Sequence, residues 1–209
     1  HVFAKLRKFN IVPSKLSGDR AFLRRICLDL TGTLPPPERV RAFLAAQDPD
    51  KREKLIETLF DTPEYIDYWT FRFADLFRVG HFLQPGPKFT DSYWEWVRDN
   101  VAGNRPYDQV AMERIAGQGA LGAPNHYFGT GGELPKPPDM MAEQVRVFFG
   151  RRLDCAQCHN HPYERWSQDQ FWELTAFFGQ LTRAGEYGID TVIYDDPEGH
   201  GQLGQGEKT

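Results

Sequence analysis

The sequence predicts a mainly α fold: a compact multi-helix domain with a long Gly/Pro-rich loop and a small irregular or β-like C-terminal segment. Three observations carry that expectation. Apolar residues recur at three- and four-residue spacing through most of the chain, the period of a half-buried helix. Pro, Asp, Thr and Ser stand where those stripes begin. Gly and Pro crowd residues 117–138, where the periodicity stops. The expected division is a helical domain over residues 1–184 followed by an extension or linker over residues 185–209.

The elements follow in order. Asp19 is expected to cap a helix whose Phe22, Leu23, Ile26, Cys27 and Leu30 share one face, with Gly32 just past its end. On that face Cys27 is expected to be an inert buried thiol. Pro35, Pro36 and Pro37 restart the chain, since Pro is tolerated in a first helical turn, and Val40, Phe43 and Leu44 form the next stripe. Asp48 and Pro49 open a helix with Leu55, Ile56, Leu59 and Phe60 on its inner side, while the charged run Lys51, Arg52, Glu53, Lys54 reads as a solvated face. Thr62, Pro63 and Glu64 begin a longer helix lined by Tyr65, Trp69, Phe73, Leu76 and Phe77. Asp91 starts another with Tyr93, Trp94, Trp96 and Val97. Residues 117–138 then form a loop of a length that is uncommon in a compact domain unless it covers a site. Pro138 and Asp139 resume a helix through Met141, Val145, Phe148 and Phe149 to Gly150. Ser167 is the N-cap of the last helix, with Phe171, Trp172, Leu174, Phe177 and Phe178. Only Thr191, Val192, Ile193 and Tyr194 look strand-like.

Composition excludes several classes. With 209 residues, 40% of them hydrophobic, the chain is long enough for a substantial core. A net charge of −4 disfavours a nucleic-acid partner, whose surface would be basic. No apolar run approaches the roughly 18 residues of a transmembrane helix. The chain opens at His1 without an initiator Met, so it is expected to be a domain from something longer. Three Cys are too few for a disulfide scaffold, and two of them sit together.

That pair carries the chemistry. Cys155, Ala156, Gln157, Cys158 and His159 spell Cys-x-x-Cys-His, in which two thiols three positions apart attach one haem and the adjacent His reaches the iron. Phe148, Phe149, Tyr163, Trp166 and Phe171 are candidates to wall the macrocycle. A zinc reading would use Cys155 and Cys158 with His159 and His161, although structural zinc sites usually space their second ligand pair farther away. A dithiol redox reading lacks the βαβ context of thioredoxin-like motifs. Elsewhere the bland readings prevail: at least two of Met112, Met140 and Met141 as core fillers, and His81, His126 and His200 as exposed loop residues. No nucleophilic triad, phosphate-cradling Gly loop or outstanding carboxylate pair appears.

Several blocks in order carry a family resemblance: Phe22-Leu23-Arg24-Arg25, Leu28-Asp29-Leu30-Thr31-Gly32 with Leu34-Pro35, Pro63-Glu64-Tyr65, Asn104-Arg105-Pro106-Tyr107-Asp108, Ala142-Glu143, Phe149-Gly150, and Cys155 to Pro162 with Trp166. They resemble the planctomycete cytochrome-c-like domain, domain-of-unknown-function family 1549, over nearly the whole chain. The resemblance implies covalent haem c on Cys155 and Cys158, with His159 as an axial iron ligand. It also implies a place in a large exported protein, hence an extracytoplasmic location and a redox partner protein or neighbouring domains as partners. No reaction comes with it, so whether the domain is an enzyme stays open. Electron transfer through one haem is the leading expectation; the alternatives are a haem enzyme or ligand-binding site with an open sixth position, and a non-haem interaction module in which zinc or a disulfide staples the Cys-x-x-Cys loop. For that sixth position the candidates are Met140, Met141 and His126, and a Met of the pair is favoured because Met140 lies next to the long loop. His161 follows His159 by two residues, a reach of about 7 Å, so it is expected on the proximal side, hydrogen-bonding a propionate.

Overall fold

The structure is a computed structural model that describes residues 1–80, 87–127, 134–185 and 192–196. It divides into two compact units, His1–Trp69 and Thr70–Thr209. Among the described residues the chain is mainly helical, with a single small sheet.

The first unit contains α1 (Val2–Lys8), α2 (Asp19–Thr31), α3 (Pro37–Ala45), α4 (Lys51–Phe60) and the start of α5 (Pro63–Leu76). Leu23, Cys27, Phe43 and Leu59 form its core, and Phe22, Ile26, Leu30, Val40, Leu44 and Leu55 pack against them. These are the stripes that helical spacing predicts. Two polar expectations are corrected. Gly18, not Asp19, occupies the N-cap of α2, and no side chain caps that end. Asp19 instead accepts from Arg52 Nε at 2.9 Å and Nη2 at 2.7 Å, and pairs with Lys51 Nζ at 2.7 Å. Those two cations hold its carboxyl below the usual carboxylate range. Lys51 and Arg52 are therefore not a solvated face: Lys51 also donates to the Phe43 and Ala46 carbonyls, and the Arg52 guanidinium lies 4.7 Å from the centre of the Phe22 ring. Phe60, expected inside, is exposed and meets Tyr65 edge-on. The unexpected helix α1 buries none of its residues.

The second unit holds the rest of α5, then α6 (Pro87–Ala102), α7 (Tyr107–Ile115), a 3-10 turn (Ala123–Tyr127) and α8 (Pro137–Gln144). A single π turn (Val145–Phe149) extends α8 to Gly150, which ends it at φ +63°. A second 3-10 turn (Asp154–Gln157), α9 (Gln168–Ala176) and the antiparallel strands β1 (Leu181–Ala184) and β2 (Val192–Asp195) follow. Helix α6 begins four residues before the expected Asp91, because Pro87 serves as its first residue. Helix α7 was not legible as a stripe: of its nine residues only Val110 and Arg114 are buried. Ser167 does cap α9, and Gln170 reciprocates, so both orphan donors are satisfied.

Two clusters form the core here. One gathers Phe77, Tyr93, Val97, Val110 and Val147. The other includes Phe89, Tyr127, Met140, Met141, Leu153, Ala156, Phe171 and Ile193. The described part of the long loop is ordered: Gly119 exchanges both backbone hydrogen bonds with Ile193 of β2, at 2.8 and 2.9 Å. The expected strand is present as Val192–Asp195, with Thr191 outside the described residues, and Ile193, in the segment read as an extension, is fully buried in this core. No described helix is long and apolar enough to cross a membrane.

Two measurements test the first unit. Gly32 sits at φ +67°, and a Cβ there would run into the Tyr68 ring. Gly32→Ala should therefore lower the unfolding free energy by about 1–3 kcal/mol, read as a lower urea midpoint; an unchanged midpoint would contradict that geometry. Cys27 is buried, and burial pushes its thiol pKa up. It should react with a thiol reagent only as the unit unfolds, far more slowly than Cys155 and Cys158.

Candidate functional site

The Cys-x-x-Cys-His segment begins on the 3-10 turn Asp154–Gln157, which Cys158 ends. Cys155 and Cys158 are both exposed free thiols. Ala156 between them is fully buried, as is Leu153 just before the turn. The motif is therefore pinned from within by two apolar side chains while its sulfurs face solvent. Gln157 is tied from outside: its carbonyl accepts from the Gln168 side chain at 3.0 Å, on the first turn of α9. Arg146 pairs with Asp154 at 3.0 Å on the approach.

His159 is exposed, and its Nδ1 lies 2.7 Å from the Asn160 carbonyl. A carbonyl only accepts, so Nδ1 carries the proton and Nε2 presents its lone pair. This is the tautomer of a metal-ligating imidazole oriented by a backbone carbonyl. The Asn160 side chain is used as well: its oxygen accepts the Gln168 N–H at 2.9 Å, at the start of α9. Sequence reasoning passed over Asn160, although a residue next to His159 and shortly before a helix is placed to orient both.

His161 differs. Its Nδ1 accepts from the Tyr163 and Glu164 N–H groups at 3.3 and 3.1 Å, and its Nε2 donates to the Arg152 carbonyl at 3.1 Å. Both nitrogens are consumed by its own loop. Among the described residues no group of three or more His, Cys, Asp or Glu side chains stands ready to hold a metal ion. The zinc reading thus finds no assembled ligand set there.

The remaining site candidates separate. Met140 and Met141 are both buried in the core cluster that also holds Ala156, and Trp166 packs against its edge. Phe171 belongs to the same cluster, Phe148 packs against the other one, and Phe149 and Tyr163 are exposed. The five aromatics expected as one wall are therefore dispersed. His81 and His200 lie outside the described residues. His126, expected to be exposed, is buried: Tyr127 lies against its ring at 3.7 Å between centroids, and its Nδ1 donates to the Ala123 carbonyl at 2.7 Å. Its Nε2 has no hydrogen-bond partner among the described residues. Burial and the nearby Arg114 cation keep it neutral, well below the usual imidazole range.

Arg114 is the polar group that stripe counting missed. It is fully buried, donates through Nε to the Tyr93 hydroxyl at 2.9 Å, bonds the Gln144 side-chain oxygen, and pairs with Glu143 at 2.8 Å. The one signal available was its position four residues after Val110 on α7.

A mainly helical domain that displays a Cys-x-x-Cys-His turn at its surface, with the turn's His held by its own backbone, is the class that fold and site define. The chain belongs to the PSCyt2 family, proteins of unknown function also designated DUF1549, whose model matches residues 1–183. No curated protein and no solved structure matches the chain.

His126 generates a pH prediction. Unfolded, its ring takes up a proton near pH 6.5; folded, it stays neutral to lower pH. The unfolded state then binds more protons, so this contribution to stability is complete above about pH 6.5 and is lost as pH falls toward the folded value. Urea unfolding at pH 7.5 and 5.5 should show a loss that shrinks in His126→Gln. Equal losses in both proteins would rule out this histidine as the source.

Proposed function

We propose that this domain carries one covalent haem c, attached through Cys155 and Cys158, with His159 as axial ligand to the iron, and that it transfers electrons within a larger extracytoplasmic protein. One observation carries the reading: two exposed free thiols, one on a short turn and one at its end, followed directly by an exposed imidazole whose Nδ1–H is spent on a carbonyl and whose Nε2 has no hydrogen-bond partner among the described residues. The residues present fit the group. Each thiol would add across one vinyl C=C, its sulfur taking one carbon and its proton going to the other, which needs reduced cysteines and no oxidant. When bound, the haem supplies a one-electron couple whose potential responds to axial ligation, hydrogen bonding and burial. The chain's own part is to hold the sulfurs on a rigid turn and to fix the tautomer of His159.

A second reading concerns the sixth position. Met140 and Met141 are core side chains, and withdrawing either as an iron ligand would open a cavity costing about 2–5 kcal/mol. That burial favours a sixth position left to water or an exogenous ligand, hence a haem enzyme or ligand-binding site, over Met ligation. Partners under either reading are a redox protein or other domains of the parent chain.

Haem-stained denaturing gels of protein produced with a haem-attachment system should retain colour, and Cys155→Ala with Cys158→Ala should abolish it. Loss of all haem to acid–acetone, or a colourless protein containing stoichiometric zinc, would overturn the proposal. The ferric spectrum separates the two readings: a thioether-to-iron band lost in Met140→Ala or Met141→Ala supports Met ligation, and a high-spin spectrum supports the open site.

A further inference from the structure

The segment between α8 and α9 has few internal supports. Leu153 and Ala156 anchor it to the core, but from Cys158 to Arg165 no residue is buried. What closes it is one side chain. The His161 ring receives two backbone N–H groups on Nδ1, from Tyr163 and Glu164, and donates Nε2–H to the Arg152 carbonyl. Arg152 precedes Cys155 by three residues and Tyr163 follows His159 by four, so the ring ties together the two flanks of the motif. Its own backbone N–H donates to the Trp166 carbonyl at 2.8 Å, closing the return toward α9. The parallel link, Arg151 to Glu164 at 2.7 Å, is an exposed ion pair of the kind that contributes little.

From this geometry we infer that His161 is the positioning residue of the site: a neutral Nε2–H imidazole that frames the segment Cys155 to His159 and, with both nitrogens engaged, leaves iron ligation to His159. The inference deepens the haem reading, on which its purpose rests, while the frame itself belongs to the haem-free fold. A frame of this kind holds two thiols and one imidazole in a fixed relation before any group arrives, which is the condition for attachment at both sulfurs.

The test compares wild type, His161→Ala and His161→Gln, the last because a side-chain amide both accepts and donates. In the haem-free chain the Tyr163 and Glu164 amides should exchange hydrogen roughly tenfold or more faster in His161→Ala, as expected for lost hydrogen bonds, and His161→Gln should restore much of the protection. After loading, covalent haem yield should fall several-fold in His161→Ala and recover in His161→Gln, with the reduction potential of the attached haem following the same order and helix content unchanged by circular dichroism. Should His161→Ala lose helix content, His161→Gln decides: protection restored without yield removes the positioning role. A wild-type chain that takes no haem, yet whose two amides still respond to His161→Ala, sinks the haem reading and leaves the frame. A haem-bearing chain whose amides and yield ignore the substitution sinks the frame alone.

Discussion

A guanidinium buried in the second unit sets the terms for much that surrounds it. Taking a charge out of water costs several kcal/mol unless partners replace the lost hydration, and Arg114 is fully buried. Its partners come from two other helices: Tyr93 on α6, and Glu143 with Gln144 at the end of α8. The rings of Phe77 and Phe148 lie 5.2 and 5.8 Å from it, adding cation–π contact in a desolvated setting. Three helices must therefore converge at one point with little freedom of register, because a shift of one turn in α8 would strand an unpaired charge. Helix α8 leads directly into the π turn and Gly150, so the segment entering the Cys-x-x-Cys-His motif leaves from the end of that helix that Arg114 holds.

From that fixed point the motif obeys a simple division. The 3-10 turn buries Ala156 while Cys155 on it and Cys158 at its end stay exposed, and Ala156 is small enough to be buried fully without pushing the turn off the core. A larger residue there would have to displace core side chains, and a polar one would need a partner that none of its apolar neighbours offers. The thiols gain exposure because the residue between them gives up its own.

How much of this could be read from the sequence follows from the range of the interactions. Stripes report which face a helix buries, and that was enough for the core of α2, α3 and α4 and for Cys27. The capping box of α9 is equally local, with Ser167 and Gln170 three positions apart. Asp19 misled because the preference of Asp for helix starts is a statistical rule, whereas the competing cations Lys51 and Arg52 arrive from more than thirty residues away. The exposure expected of His126 failed for a similar reason: Gly and Pro neighbours mark a loop, but burial was decided by packing against Tyr93 and Tyr127. Within the site, the Cys pair and His159 were legible because the motif is contiguous. The work done by Asn160 was not, since it depends on where α9 begins.

Three described histidines, His126, His159 and His161, are sorted by what their nitrogens already do. His126 donates from Nδ1 to a carbonyl, but its remaining lone pair is sealed in the core beside a cation. His161 has no lone pair left, since two N–H groups share Nδ1 and Nε2 carries the donated proton. His159 alone combines a fixed tautomer with an accessible nitrogen. Metal affinity requires both, a ring turned by a hydrogen bond at one nitrogen and a lone pair open at the other. The difference among three chemically identical side chains is thus made by backbone carbonyls and N–H groups, and it leaves the one accessible, oriented nitrogen directly after the second cysteine.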